Sequence, residues 1–197
     1  MAESDLSLAE PLAPTPQAWL DCVKGDFNAF LADHASCEKK ASGMALNVAS
    51  HYPDQPQLLN AMVDLAVEEL THYREVIRLL LRRNIAPTAD QKDPYVNALN
   101  SEIRRGSENF LLDRLLVGAI VERRGAERFG LLARTLEDPE LQRFYTAIAA
   151  SEERHWTLFI DLAIQHCPPD LVWPRFNALQ RLETQLIVNL PLRPALH

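Results

Sequence analysis

A chain of 197 residues with 47% hydrophobic content is long enough for one domain with a sizeable core, and disorder is not its default state. A formal net charge of -7 excludes a global basic field that would draw in nucleic acid or anionic lipid, so any polyanion partner must meet a local basic patch. Three widely spaced cysteines (Cys22, Cys37, Cys167), an acidic Pro-rich start without an apolar leader, and no run of roughly 20 apolar residues exclude a disulfide framework, a signal peptide and a membrane span, and fit a reducing, cytoplasmic compartment.

Residues 1–16 read as a flexible tail, and residues 17–197 as a single domain. Pro16 to Phe27 can form a short lead helix anchored by Trp19 and Val23. Four long amphipathic helices follow. The first runs from about Asp26 to His51 and stops at Tyr52-Pro53-Asp54; the second runs from about Gln57 to Asn84 and stops before Pro87. The third runs from about Ser107 to Glu137, with Ser107 as its N-cap. The fourth runs from about Pro139 to Cys167, capped by Asp138 and started by Pro139, and ends at Pro168-Pro169. A last helix is expected over Pro174 to Asn189. The long segment from Ile85 to Gly106, with a short helix within Pro94 to Arg104, can carry the chain the length of a bundle. No strand signal stands out. The expected fold is therefore all-α: a ferritin-like four-helix bundle with one long crossover and extra terminal helices.

Each long helix has an apolar stripe at steps of three or four residues, and a glutamate interrupts each stripe in its middle: Glu38, Glu69, Glu122 and Glu152. A carboxylate buried alone is very costly, so it must be paired, protonated or bound to metal. The acids do not stand alone. Glu69-Leu70-Thr71-His72 and Glu152-Glu153-Arg154-His155 are both Glu-x-x-His, and residues three apart on a helix share a face. Glu38 precedes Glu69 by 31 residues and Glu122 precedes Glu152 by 30, so the chain reads as two pseudo-repeats. Antiparallel packing would bring four carboxylates and two imidazoles to one level, a ligand set for two iron or manganese ions with positions left open. Glu68, Glu127 and Glu153 fall off the stripes and are expected in solvent. His34 lies one turn before Glu38 on the same face and reads as a packed or supporting histidine; Tyr145 lies on the stripe of its helix and can sit close to the centre.

These motifs resemble a known family. Glu38, Glu69-x-x-His72, Glu122 and Glu152-x-x-His155, the crossover and the Leu-Pro-Leu-Arg-Pro end are similar to the bacterial tRNA hydroxylases called MiaE. The surrounding text, Asp33-His34-Ala35, Cys37-Glu38-Lys39-Lys40-Ala41 and Val121-Glu122-Arg123-Arg124, carries the resemblance further, over nearly the whole chain from Trp19. It implies a di-iron monooxygenase that uses dioxygen to hydroxylate the isopentenyl group of 2-methylthio-isopentenyl-adenosine in tRNA. The chain has no flavin fingerprint, Gly-rich dinucleotide turn or iron–sulfur cysteine set, so electrons are expected from a separate reductase or ferredoxin.

A tRNA partner needs cations that face phosphates. Four basic doublets stand out: Lys39-Lys40, Arg82-Arg83, Arg104-Arg105 and Arg123-Arg124. Lys39, Lys40, Arg123 and Arg124 directly follow expected ligands, and Arg104 and Arg105 lie in the crossover, so these six are the candidate tRNA contacts. The same residues can instead be ordinary surface charges in intrahelical pairs. Two other classes compete: an iron-storage protein of the bacterioferritin type, and a metal-free interaction bundle whose buried acids are satisfied by His and Arg.

Overall fold

The computed structural model describes residues 5–197, apart from the side chains of Ser107 and Glu108. Among the described residues there is no strand. Seven α-helices follow in order: α1 (Gln17–Gly25), α2 (Phe27–His51), α3 (Pro56–Arg82), α4 (Pro94–Ser101), α5 (Ser107–Thr135), α6 (Pro139–His166) and α7 (Pro169–Asn189). The chain divides into two compact units. One comprises Asp21–Gln91 and Leu192–Leu196; the other comprises Met1–Leu20, Lys92–Pro191 and His197.

The first unit is built on the α2–α3 hairpin. Asp26 accepts a hydrogen bond from the Ala29 amide, which caps α2 where the sequence placed its start. Phe30, Leu31, Ala45 and Val48 of α2 and Leu58, Met62, Leu65, Val76 and Leu79 of α3 are buried, following the predicted stripes. The Ser42 hydroxyl donates to the Ala66 carbonyl at 2.8 Å. α3 stops before Pro87 through its own backbone. Asn84 takes a left-handed φ of 57°, its amide bonds Leu81 O and the Ile85 amide bonds Leu80 O, which satisfies carbonyls that would otherwise be orphaned.

The second unit pairs α5 with α6 and lays α7 and α4 against them. Here the α5–α6 approach is tight. A Cβ on Gly118 would lie 3.0 Å from the Phe159 ring, so no larger residue fits without a shift of that ring. α7 begins at Pro169 and not at Pro174, because Pro168 and Pro169 occupy the N-cap and first position. Pro174 sits in the second turn, where the carbonyl it leaves without a backbone donor belongs to exposed Asp170. Ser107 is the first residue of α5 rather than its cap. Gly106 takes the N-cap position with φ 108°, a conformation suited to glycine, and the Ser107 side chain lies outside the described residues.

The expected tail is also corrected. Residues 1–4 lie outside the described residues, but residues 5–16 are held down. The Glu10 amide donates to Asn177 Oδ1 at 2.9 Å, and its carbonyl accepts from Gln180 Nε2 at 2.7 Å. Thr15 is buried and bonds both oxygens of Glu127, at 3.0 Å through its amide and 2.5 Å through its hydroxyl. Glu127 is therefore a docking point for the N-terminal segment and not a solvated acid. Composition suggested flexibility, but exposed backbone carbonyls can bind side chains of another element as well as water.

Helix α4 within the crossover depends on Asp93. Its carboxylate caps the helix, accepting from the Tyr95 and Val96 amides at 2.9 and 3.2 Å, and His197 Nδ1 lies 3.3 Å away. Burial pushes the carboxyl up, but the hydrogen bond and charge of His197 and the two amides outweigh it, and the pKa falls to about 2. A depressed folded-state pKa contributes stability above the unfolded value near 4 and loses it as pH falls through about 2. Asp93→Asn keeps an N-cap but removes the charge. Its urea stability should fall short of wild type by about 2 kcal/mol at pH 6, with the gap closing between pH 4 and 2. A gap that does not depend on pH would show that the cap alone matters.

Candidate metal centre

In the first unit, α2 presents Glu38 and α3 presents Glu69 and His72. Their stripe positions bury Glu38 and Glu69 almost completely, and His72 is the most open of the group at 12% side-chain exposure. One ligand atom of each lies within 4.8 Å of the others. His72 Nδ1 is 3.6 Å from both Glu38 Oε2 and Glu69 Oε2, so this nitrogen is the one turned to the carboxylates. The other oxygen of Glu38, Oε1, meets His34 Nε2 at 2.5 Å. His34 is wholly buried and does not join the cluster itself; it holds the Glu38 carboxylate from behind. Burial pushes the Glu38 carboxyl up, but the charge and hydrogen bond of His34 and the hydrogen bonds of His72 and Glu69 hold it well below the usual carboxylate range. Burial pushes His72 down, and Glu38 and Glu69 more than reverse this, to about 10.

In the second unit, α5 presents Glu122 and α6 presents Glu152 and His155, all three buried. One ligand atom of each again lies within 4.8 Å of the others. His155 Nδ1 is 3.5 Å from Glu152 Oε2, and its Nε2 is 3.5 Å from the Ser151 hydroxyl. Both histidines therefore turn Nδ1 to their i−3 glutamate, so the two Glu-x-x-His motifs share one local geometry. Buried carboxylates with imidazole nitrogens form a hard oxygen and nitrogen donor set, which fits iron or manganese. Each unit brings two carboxylates and one imidazole together in a group that could hold a metal ion.

The family described as tRNA-(MS2IO6A)-hydroxylase (MiaE) matches residues 8–197. The chain belongs to this family. It is 39% identical to the tRNA 2-(methylsulfanyl)-N(6)-isopentenyladenosine(37) hydroxylase of Pseudomonas putida over 150 residues, which is 76% of this chain and 73% of that protein. A protein of the same name from Salmonella typhimurium is 28% identical over 225 residues, covering 89% of this chain and 83% of its own. Among solved structures, a Synechococcus protein with aldehyde deformylating oxygenase activity matches with a TM-score of 0.90, 34% identity and 94% of each chain. The all-helical, ferritin-like class expected from the helix pattern holds. No described helix is long and apolar enough to cross a membrane.

The tRNA-contact candidates fare differently. Arg124 cannot face a phosphate: it is wholly buried, and it forks onto Glu183 through Nε at 2.6 Å and Nη2 at 2.9 Å. Its Nη1 bonds Ala13 O, Thr15 Oγ1 and Glu127 Oε2. Arg123 is spent as well. It lies 5.0 Å over the Trp156 ring and bonds Glu10 O and Gln180 Oε1. α7 and the N-terminal segment cover this face of α5, which the doublet pattern alone did not reveal. Arg104 is drawn to buried Asp113, which it shares with Arg175. Arg105 is exposed. Lys39 and Lys40 are exposed, Lys39 pairing with Asp90 at 2.8 Å and Lys40 donating to Gln91 O at 2.7 Å. Tyr145 is buried and stacks on Phe129 at 5.6 Å, a core position two turns from Glu152.

The sequence reading missed Glu183 and Gln180. Both sit on the buried stripe of α7 with Phe176, Leu179 and Ile187. An acid in the middle of an apolar stripe was the signal that found the four candidate ligands, and it was present here too. At this position the acid is answered by arginine.

Proposed function

We propose that this chain is a di-iron monooxygenase that hydroxylates the isopentenyl group of 2-methylthio-isopentenyl-adenosine in tRNA. The observation that carries this reading is the family match from residue 8 to 197, with the Glu and Glu-x-x-His pattern intact in each unit. Glu38, Glu69 and His72 hold one ion, and Glu122, Glu152 and His155 hold the other. Bound iron would supply dioxygen activation and insertion of one oxygen atom into an unactivated C–H bond. Balance requires two electrons and two protons, with the second oxygen leaving as water. A separate reductase or ferredoxin supplies the electrons, and the reaction belongs in the cytoplasm, where tRNA is.

The chain's own residues do three things. His34 fixes one oxygen of Glu38, leaving the other for the site. His72 and His155 present Nδ1 and would hold a metal ion as neutral imidazoles. Burial of the carboxylates keeps bulk water from the reacting atoms.

The Synechococcus likeness supports a second reading, an aldehyde substrate on the same scaffold. One experiment separates them. Iron-loaded protein with dioxygen and a chemical reductant is given tRNA carrying the modified adenosine, unmodified tRNA, or an aldehyde. A nucleoside heavier by one oxygen atom, from the modified tRNA only, is the expected result. Aldehyde turnover with the nucleoside untouched would reverse the assignment, and mineralisation of hundreds of irons without either product would favour storage.

A further inference from the structure

The cations that lie on one surface of the first unit are not the doublets. Neighbours in sequence point about 100° apart on a helix, whereas residues four apart line up. Arg74, Arg78 and Arg82 follow this spacing along α3, and all three are exposed. From Leu70 to Arg83 there are four arginines and one acid, Glu75, in a chain of net charge -7. The fourth, Arg83, packs at 5.8 Å over the Phe27 ring and so is committed to the fold. Like charges four apart destabilise a helix. Arg74 has no acidic residue three or four positions away in α3 that would relieve this.

The second pseudo-repeat shows that the scaffold does not need this row. Glu152 follows Glu69 by 83 residues, and at that offset α6 carries Thr157, Asp161 and Gln165 in place of the three arginines. A helix with the same ligand motif is built without a single cation there. The row lies on the opposite side of α3 from Glu69 and His72, so it does not serve the ligands. Beside it, Val67, Leu70 and Leu81 are more than half exposed.

We propose that Arg74, Arg78 and Arg82 form a phosphate-tracking surface for the tRNA substrate, an inference that rests on the tRNA reading above. Successive guanidinium groups rise by about 6 Å along the helix, a step comparable to that between neighbouring phosphates of one strand. Arginine can hold a phosphate through two donors at once. Lys39 and Lys40, tied to Asp90 and Gln91, are secondary to this row.

The test compares wild type with the R74E/R78E/R82E variant and with the neutral R74Q/R78Q/R82Q variant, which retains helix propensity. Melting temperature and iron content establish that each is folded and loaded. KM for modified tRNA should rise roughly tenfold or more, with kcat at saturating tRNA unchanged. The log–log slope of tRNA affinity against salt should fall by about 2, as expected when three single-strand phosphate contacts are lost. Unchanged KM and slope in a folded, loaded variant overturn this inference alone. Wild type that neither binds nor hydroxylates tRNA overturns the tRNA reading and this surface together. Normal tRNA KM, with turnover lost when an acidic protein donates the electrons but kept with a chemical reductant, assigns the row to the electron donor and overturns the proposal.

Discussion

Arg124→Ala is expected to lower the free energy of unfolding by about 3–5 kcal/mol, a large part of the stability of an ordinary domain. Arg124 and Glu183 are both wholly buried, and Tyr95 donates its hydroxyl to Glu183 at 3.2 Å. Removing the guanidinium leaves a carboxylate in the core with one neutral donor, and it takes one donor each from Thr15, Glu127 and the Ala13 carbonyl as well. The cost lies in the orphaned partner rather than in the strength of the pair. Two further variants separate these. Arg124→Lys should lose much of the same stability, because an ammonium cannot reproduce the two-pronged bond to Glu183. Combining Arg124→Met with Glu183→Leu and Tyr95→Phe should recover most of it, because no buried charge is then left alone. Urea unfolding measures all three. A single alanine variant within about 0.5 kcal/mol of wild type would mean that water reaches Glu183 and the pair is not buried.

Simultaneous replacement of Glu38, Glu69, Glu122 and Glu152 by alanine is expected to abolish iron binding and hydroxylation altogether. His72→Ala or His155→Ala should each cost most of one iron. The readout besides activity is thermal. Wild type should gain about 2.7 kcal/mol of stability at iron concentrations a hundredfold above Kd, and the quadruple variant should gain none. In the absence of iron, a variant with all six of these Glu and His residues made apolar should melt at or above the metal-free wild type, because no buried charge is then left without its partner. Full iron occupancy in the quadruple variant would place the metal elsewhere.

The parts of this arrangement that were legible in the sequence are those fixed by local periodicity. A helix face repeats every three or four residues, so Glu38, Glu69, Glu122 and Glu152 declared themselves buried before any packing was known. The Glu-x-x-His spacing likewise placed each histidine on the face of its glutamate. What was not legible depends on which element lies over which. Lys39-Lys40 and Arg123-Arg124 stand at corresponding places after Glu38 and Glu122, and nothing within either doublet says that one is exposed and the other covered. α7 and residues 5–16 make that difference. The start of α7 was misplaced by five residues because Pro174 outweighed Pro169 as a start signal. The long N-terminal segment was misread because proline-rich composition reports weak secondary structure and not weak attachment.

The clash that Gly118 would have with Phe159 if it gained a side chain has a counterpart in the first repeat. Glu122 follows Glu38 by 84 residues, and this offset pairs Gly118 with His34; the 83-residue offset from Glu69 to Glu152 pairs Phe159 with Val76. If the halves descend from one duplicated hairpin, one copy carries a histidine and a valine where the other carries a glycine and a phenylalanine. Such a difference leaves a historical constraint. A lineage that regained a histidine at 118 would first need a smaller residue at 159, so these two positions should change together across descendants. The hydrogen bond that His34 gives Glu38 is thereby closed to Glu122 for as long as Phe159 stays, and the two halves of the centre cannot drift back to equivalence by single substitutions.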